Sequence, residues 1–454
     1  MSRRATLDCN EIIDSQRVGF PLLSIGALAL LVMVTDGFDV AVMGYVAPEL
    51  LREWGLSAEN MVPALSATII GMMIGGPLAG IMGDRFGRRP VLISCLIWLG
   101  ILTLSTMAVR NVVELTALRL LAGISLGGAI PVAAALMAEF SPRRYRGRIL
   151  VGVLTGVTIG IALPGIATAL LVPTFGWKSL LLVGGLVPLL IAAISCYFLP
   201  ESLRYLLSRP DKSKELRRIA RQLRPDLAID DDVAITAPPD EGCALDRPSL
   251  SLLFRGEFRW VTPCLWLAQA AIQAASFFVL TWLPTLLQSS GESASQAGLN
   301  SSLFSIGGLL SALIFVVTVD RWGAVILATC CFCGVPLVAM MTSFGGAPYL
   351  HAATIAGAGF CVIGGQLCIT VLLGLFYPTS IRSSGIGTTQ AVGRIGALLA
   401  PVGGGVLIDM GVPFSHLTLG PAILLLLGGL ASAALTLSCV RSHGSVRPRE
   451  FALT

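Results

Sequence analysis

Apolar stretches of about twenty residues recur along the entire chain, and that supply of membrane-length segments closes off most folds. A helix needs roughly 20 consecutive apolar residues to cross about 30 Å of hydrocarbon, whereas barrel strands alternate over about ten. Twelve stretches are placed at about 20–46, 61–83, 91–109, 113–139, 149–172, 178–199, 260–287, 296–319, 323–343, 349–376, 384–408 and 417–440. The first is too long for the core of a signal peptide and lacks a small-residue cleavage site, so it counts as a span. Composition agrees: of 454 residues, 55% are hydrophobic and 13% charged, against about 25% charged in a soluble domain. The expected fold is an all-α membrane protein with twelve transmembrane helices.

One long hydrophilic segment, Pro200 to Arg259, interrupts the spans; it carries Lys212-Ser-Lys-Glu-Leu-Arg-Arg, Asp230-Asp-Asp and Pro238-Pro. The expected organisation is a six-helix half over 1–199, a linker over 200–259 and a second six-helix half with a tail over 260–454. All but five of the 31 Lys and Arg fall on the side of the termini and linker, which the positive-inside rule assigns to the cytoplasm. Arg52, Arg110 and Lys178 occupy the opposite loops, and Arg119 and Arg394 lie within spans. The net charge of +5 thus reports membrane topology, and no nucleic-acid partner is expected. Asp84-Arg-Phe-Gly-Arg-Arg follows the second span and Asp320-Arg-Trp-Gly the eighth, an echo expected of repeated halves around a midplane site. Eleven cysteines, including Cys330, Cys331 and Cys333 in one span, read as small buried hydrophobes.

The first span holds two carboxylates, Asp36 and Asp39. Each costs roughly 2.5–3.5 kcal/mol at hydrocarbon depth. Spacing of i, i+3 puts both on one helix face, where they can share a proton, a cation or a substrate. The alternative is that one of them caps a helix break at Gly37. Arg119, in the fourth span, is suited to compensate either aspartate. Arg394 is a lone cation in the eleventh span; it can grip a carboxylate with two hydrogen bonds or pair with an internal acid. On the seventh span Phe277, Phe278 and Trp282 offer a ring to stack on, or simply pack. Gln269 and Gln273 are i, i+4 neighbours there, and Gln366 lies on the tenth; such amides suit a polar cavity or a helix–helix hydrogen bond.

The stretch Gly76-Pro-Leu-Ala-Gly-Ile-Met-Gly-Asp-Arg-Phe-Gly-Arg-Arg-Pro resembles the loop signature of the major facilitator superfamily. Pro200-Glu-Ser after the sixth span and Leu118-Arg-Leu-Leu-Ala-Gly-Ile-Ser-Leu-Gly-Gly on the fourth fit it too. More narrowly, Asp36-Gly-Phe-Asp39, Glu139-Phe-Ser-Pro-Arg-Arg-Tyr-Arg-Gly, Trp282-Leu-Pro-Thr-Leu-Leu, Tyr377-Pro-Thr-Ser-Ile-Arg-Ser-Ser-Gly-Ile-Gly and Gly393-Arg-Ile-Gly-Ala resemble the aromatic acid:proton symporter family. The resemblance implies the twelve-helix major facilitator fold in two halves. It also implies import of benzoate-type, hydroxybenzoate, phenylpropionate or muconate anions with protons. Under it Asp36 and Asp39 carry coupling; on their own placement in the spans Arg119, Arg394, Gln269, Gln273, Phe277, Trp282 and Gln366 are the candidate substrate-binding residues. It also places Asp84 in the gating loop and makes Arg382 and Arg394 necessary for transport; the candidate gating set of the cytoplasmic face is Asp84, Arg85, Arg88, Arg89, Glu139, Asp320 and Arg382.

Gly123-Ile-Ser125-Leu-Gly127 satisfies the Gly-x-Ser-x-Gly pattern of serine hydrolases. No strand precedes it and no histidine is placed to serve Ser125, so it reads as small residues for helix packing. There is no phosphate-binding P-loop, which argues against ATP drive. Within the fifth span the stretch Gly156 to Gly165 holds only part of the Gly-Pro-Gly-Gly pattern of drug exporters, which tilts direction toward uptake. The expected function is proton-coupled import of a small aromatic carboxylate across a bacterial inner membrane. The protein is expected to work as a monomer in the lipid bilayer with both termini cytoplasmic, needing no cofactor or metal and catalysing no reaction. An exporter, a carrier of another organic anion, and a membrane sensor or polytopic enzyme are the alternatives.

Overall fold

The computed structural model describes residues 6–16, 19–224, 234–236, 250–343, 347–378, 381–413 and 416–443. Strand β1 (Thr6–Asp8) and helix α1 (Cys9–Asp14) precede six long helices: α2 (Phe20–Trp54), α3 (Val62–Phe86), α4 (Arg88–Ser105), α5 (Val112–Phe140), α6 (Arg146–Phe175) and α7 (Lys178–Phe198). The linker contributes α8 (Leu203–Leu207), α9 (Ser213–Leu223) and β2 (Ala234–Thr236). Six more helices follow: α10 (Phe258–Ser289), α11 (Ala294–Trp322), α12 (Ala324–Met340), α13 (Pro348–Phe376), α14 (Arg382–Asp409) and α15 (Leu419–His443). Among the described residues, eleven helices are long and apolar enough to span a membrane, and α12 is a shorter apolar twelfth of 17 residues. The twelve-helix expectation holds. Arg3, Arg4, Arg17, the Asp230-Asp-Asp run and Pro238 lie outside the described residues.

Close packing is built from small residues and is repeated. In the first six helices α3 packs on α5, α2 on α6 and α4 on α7; in the second six, α11 packs on α13, α10 on α14 and α12 on α15. A Cβ added at Gly123 would lie 2.2 Å from the Thr68 carbonyl oxygen, and one at Gly127 2.3 Å from that of Met72. The Gly-x-Ser-x-Gly stretch is therefore the seam where the α3 and α5 backbones touch. Helix α2 runs unbroken through Gly37, where a Cβ would meet the Val157 carbonyl oxygen of α6 at 2.1 Å. That glycine admits a neighbouring helix, and there is no break for an aspartate to cap.

A second echo between the halves escaped the sequence comparison. Helix α5 ends in Phe140-Ser-Pro and α13 in Phe376-Tyr-Pro, each proline standing where the helix stops. Five residues on from the middle residue, an arginine reaches back to its carbonyl. Arg146 Nη2 donates to Ser141 O at 3.3 Å, and Arg382 Nε to Tyr377 O at 3.0 Å.

The apolar core comes in three main parts. One lies within α10–α15. A second fills the linker end of the first six helices, where α9 seats Leu216, Ile219 and Leu223 alongside Cys9 and Ile13 of α1. The third joins the halves at the end opposite the linker, combining Phe38, Tyr45 and Leu50 of α2 with Phe278, Trp282 and Leu286 of α10. Hydrogen bonds reinforce that seal: Ser302 Oγ donates to Ala162 O at 2.9 Å and Ser295 Oγ to Ala169 O at 3.2 Å. Cys330, Cys331, Cys361 and Cys368 are buried thiols as expected, whereas Cys196 and Cys333 are exposed.

Candidate functional site

The two aspartates of α2 are both 1% exposed, yet their surroundings differ. Asp39 Oδ2 lies 3.3 Å from Arg119 Nη1, and Thr103 Oγ1 donates to Asp39 Oδ1 at 2.8 Å. Arg119 Nη2 in turn donates to Thr106 Oγ1 at 2.8 Å. Neither oxygen of Asp36 has a hydrogen-bond partner, and the cation within electrostatic reach is Arg394 of α14. Arg394 Nη1 donates to the Met72 carbonyl oxygen of α3 at 3.2 Å, so this side chain crosses between the halves. The shared helix face thus presents each acid to a different arginine. Arg119, expected among the substrate ligands, is fully buried and committed to Asp39 and Thr106.

Four amides converge from three helices of the second half. Gln269 Nε2 donates to Gln390 Oε1 at 3.1 Å and to Gln273 Oε1 at 3.4 Å; Gln366 Nε2 donates to Gln273 Oε1 at 2.8 Å. Gln269 is buried, while Gln273, Gln366 and Gln390 are half-buried. Gln390 was missed in the sequence, although it precedes Arg394 by one helical turn and so shares its face. Phe277, also half-buried, follows Gln273 by one turn along α10. Trp282 does not join this group: it is 2% exposed and packs in the apolar seal with Phe278.

On the linker face the charges are ordered by one residue that the sequence reading passed over. Glu201 Oε1 accepts the backbone N–H groups of Arg88 at 3.0 Å and Arg89 at 3.2 Å. A carboxylate there satisfies orphan donors at the start of α4 and complements its dipole. Gly87, just before it, has φ +104° and needs its missing Cβ. Arg88 Nη1 pairs with Glu139 Oε1 at 2.9 Å, and Ser202 Oγ donates to the same carboxylate. Arg89 donates to Cys196 O. Asp84 and Arg85 are exposed, and Arg85 O accepts from Arg209 Nη2 at 3.2 Å. Asp320 lies on α11, but its side chain is outside the described residues. The lone carboxylate of Pro200-Glu-Ser was the available signal for Glu201.

The family model of the Major Facilitator Superfamily matches residues 29–293. The chain belongs to that superfamily. It is also 34% identical to a 4-hydroxybenzoate transporter of Pseudomonas aeruginosa, over 96% of this chain and 97% of the relative. A gallate transporter of Pseudomonas putida is 33% identical over 98% and 97%, and a 3-(3-hydroxy-phenyl)propionate transporter of Escherichia coli 29% identical over 90% and 93%. Within the superfamily the chain therefore stands with the aromatic acid transporters, and it is a multi-span membrane transporter, not an enzyme. The fold of a D-xylose-proton symporter superposes with a TM-score of 0.69 at 20% identity, covering 95% of this chain and 100% of that one.

Proposed function

We propose that this transporter imports a small aromatic carboxylate of the benzoate or hydroxybenzoate type together with one or more protons. It does so as a monomer in a bacterial inner membrane, with both termini and the linker in the cytoplasm. The names of its relatives supply the substrate class, and the arginine bias of the linker side supports the orientation. The observation that carries coupling is Asp36, buried without a hydrogen-bond partner and facing Arg394 across the junction of the halves. One guanidinium cannot neutralise both Asp36 and a substrate carboxylate. When the substrate takes Arg394, a proton arriving at Asp36 leaves the site with no uncompensated buried charge. Asp39, already matched by Arg119, holds the frame in which that exchange occurs. The apolar seal between the halves lies at the end opposite the linker, and the linker-face set of Asp84, Arg85, Arg88, Arg89, Glu139, Asp320 and Arg382 balances the inward-open state against the outward-open one. Uptake of radiolabelled 4-hydroxybenzoate and benzoate by intact cells tests the reading. Accumulation should collapse with a protonophore. Uptake of neither acid, or accumulation indifferent to the protonophore, would overturn it.

A further inference from the structure

We infer that the amide cluster of α10, α13 and α14 reads a hydroxyl group on the substrate ring, making Gln366 and Gln273 the residues that select hydroxylated aromatic acids over unsubstituted ones. This rests on the proposed function, whose carboxylate end lies at Arg394. The bonds within the cluster orient the four amides relative to one another. Gln366 uses one of the two N–H groups of Nε2 on Gln273 Oε1, so it has left its Oε1, an acceptor, and one N–H. Gln273 and Gln390 each receive bonds at Oε1, so what they have left is NH2, a donor. All three residues are half-buried, so these remaining groups are not sealed in the core. The half-buried members of the cluster thus offer an open acceptor, Gln366 Oε1, beside amide donors on Gln273 and Gln390, and Gln269 Oε1 behind them has no partner. A phenolic hydroxyl, which donates one hydrogen bond and accepts another, satisfies both kinds at once.

Position agrees with that chemistry. Gln390 and Arg394 are one turn apart on α14, about 5–6 Å between Cβ atoms, so the amide cluster and the guanidinium lie along one helix face. Phe277 continues the Gln269–Gln273 stripe along α10 and supplies an apolar face for the ring. An unsubstituted ring would strip water from these amides and return no hydrogen bond, and sites built to bind a hydroxyl reject analogues lacking one for that reason.

The test is ligand binding to the purified full-length protein, using benzoate, 4-hydroxybenzoate and 4-methoxybenzoate. The methoxy compound keeps the oxygen and removes the donor. Wild-type protein should bind 4-hydroxybenzoate roughly tenfold or more tightly than either of the others. In Gln366→Leu and Gln273→Leu the ratio of 4-hydroxybenzoate to benzoate affinity should fall to within about twofold of one. Equal wild-type affinity for benzoate and 4-hydroxybenzoate overturns this inference while leaving aromatic acid transport standing. So does a ratio that neither variant alters. If none of the three acids binds, the proposed function itself fails and this inference with it. If a leucine variant folds poorly, Gln366→Met and Gln273→Met, which keep the side-chain length and remove the amide, are read by the same affinity ratio.

Discussion

Two aspartates three residues apart look alike in a sequence, and their different neighbours give them different work. Asp39→Asn strips Arg119 of its counter-charge at a site with no solvent, and breaking such a pair costs about 3–5 kcal/mol. The variant should lose thermal stability in detergent, and Asp39→Asn combined with Arg119→Gln should regain part of it; equal melting of all three proteins would refute the structural role. Asp36→Asn leaves no charge unmatched beyond Arg394, so a folded protein is expected. Reconstituted in vesicles, it should still exchange substrate across the membrane but fail to accumulate it against a gradient. Accumulation at the normal rate would remove Asp36 from coupling. Arg394→Lys should weaken apparent affinity by roughly tenfold or more, because a point charge cannot reproduce a planar two-bond grip; unchanged affinity would return Arg394 to a purely internal pairing. The acids and both arginines were legible from their cost in hydrocarbon. Their pairing was not, since it depends on which faces of α5 and α14 turn toward α2.

Helices were the most readable elements, and their ends the least. The sequence reading stops α2 near residue 46, before Pro48 and the charges of Glu49 and Arg52, whereas the helix continues to Trp54. A proline removes one backbone hydrogen bond, and packing of the flanking turns holds the rest of this helix together. At the other extreme α12 has 17 residues, about 26 Å at 1.5 Å per residue, which places it at the short limit for a span. The Gly-x-Ser-x-Gly stretch was correctly assigned to packing, and its two kinds of residue can be separated. Ser125→Ala should transport like wild type. Gly123→Val would force side-chain atoms into the Thr68 carbonyl, where overpacking costs typically about 1–3 kcal/mol or more, so yield and monodispersity on size-exclusion should drop. Normal behaviour of Gly123→Val would show that the α3–α5 seam is looser than it is drawn.

Taken whole, the molecule is two similar halves joined at one end. A sequence reveals the halves through repeated motifs, but which end is shut depends on long-range contacts that no local pattern encodes. The seal itself can be probed at Gly44, where a Cβ would sit 2.7 Å from the Leu280 carbonyl oxygen. Gly44→Leu should prevent closure there, so that transport falls while substrate binding persists. A cysteine introduced as Ala47→Cys, buried in the wild-type seal, should then react faster with a membrane-impermeant thiol reagent added from outside. Unaltered labelling would mean that the halves close by another surface.

The small parallel sheet has a consequence for how the chain is made. Among the described residues, strand Thr6–Asp8 pairs with strand Ala234–Thr236, and six membrane helices lie between them. During synthesis the early strand therefore waits, edge unsatisfied, until all six helices have been inserted and the linker has left the ribosome. Its pairing is a late, long-range event of the kind that folds slowly. The first half is thus finished from both of its ends at once, and a truncated chain lacking the linker would lose the second strand of this sheet.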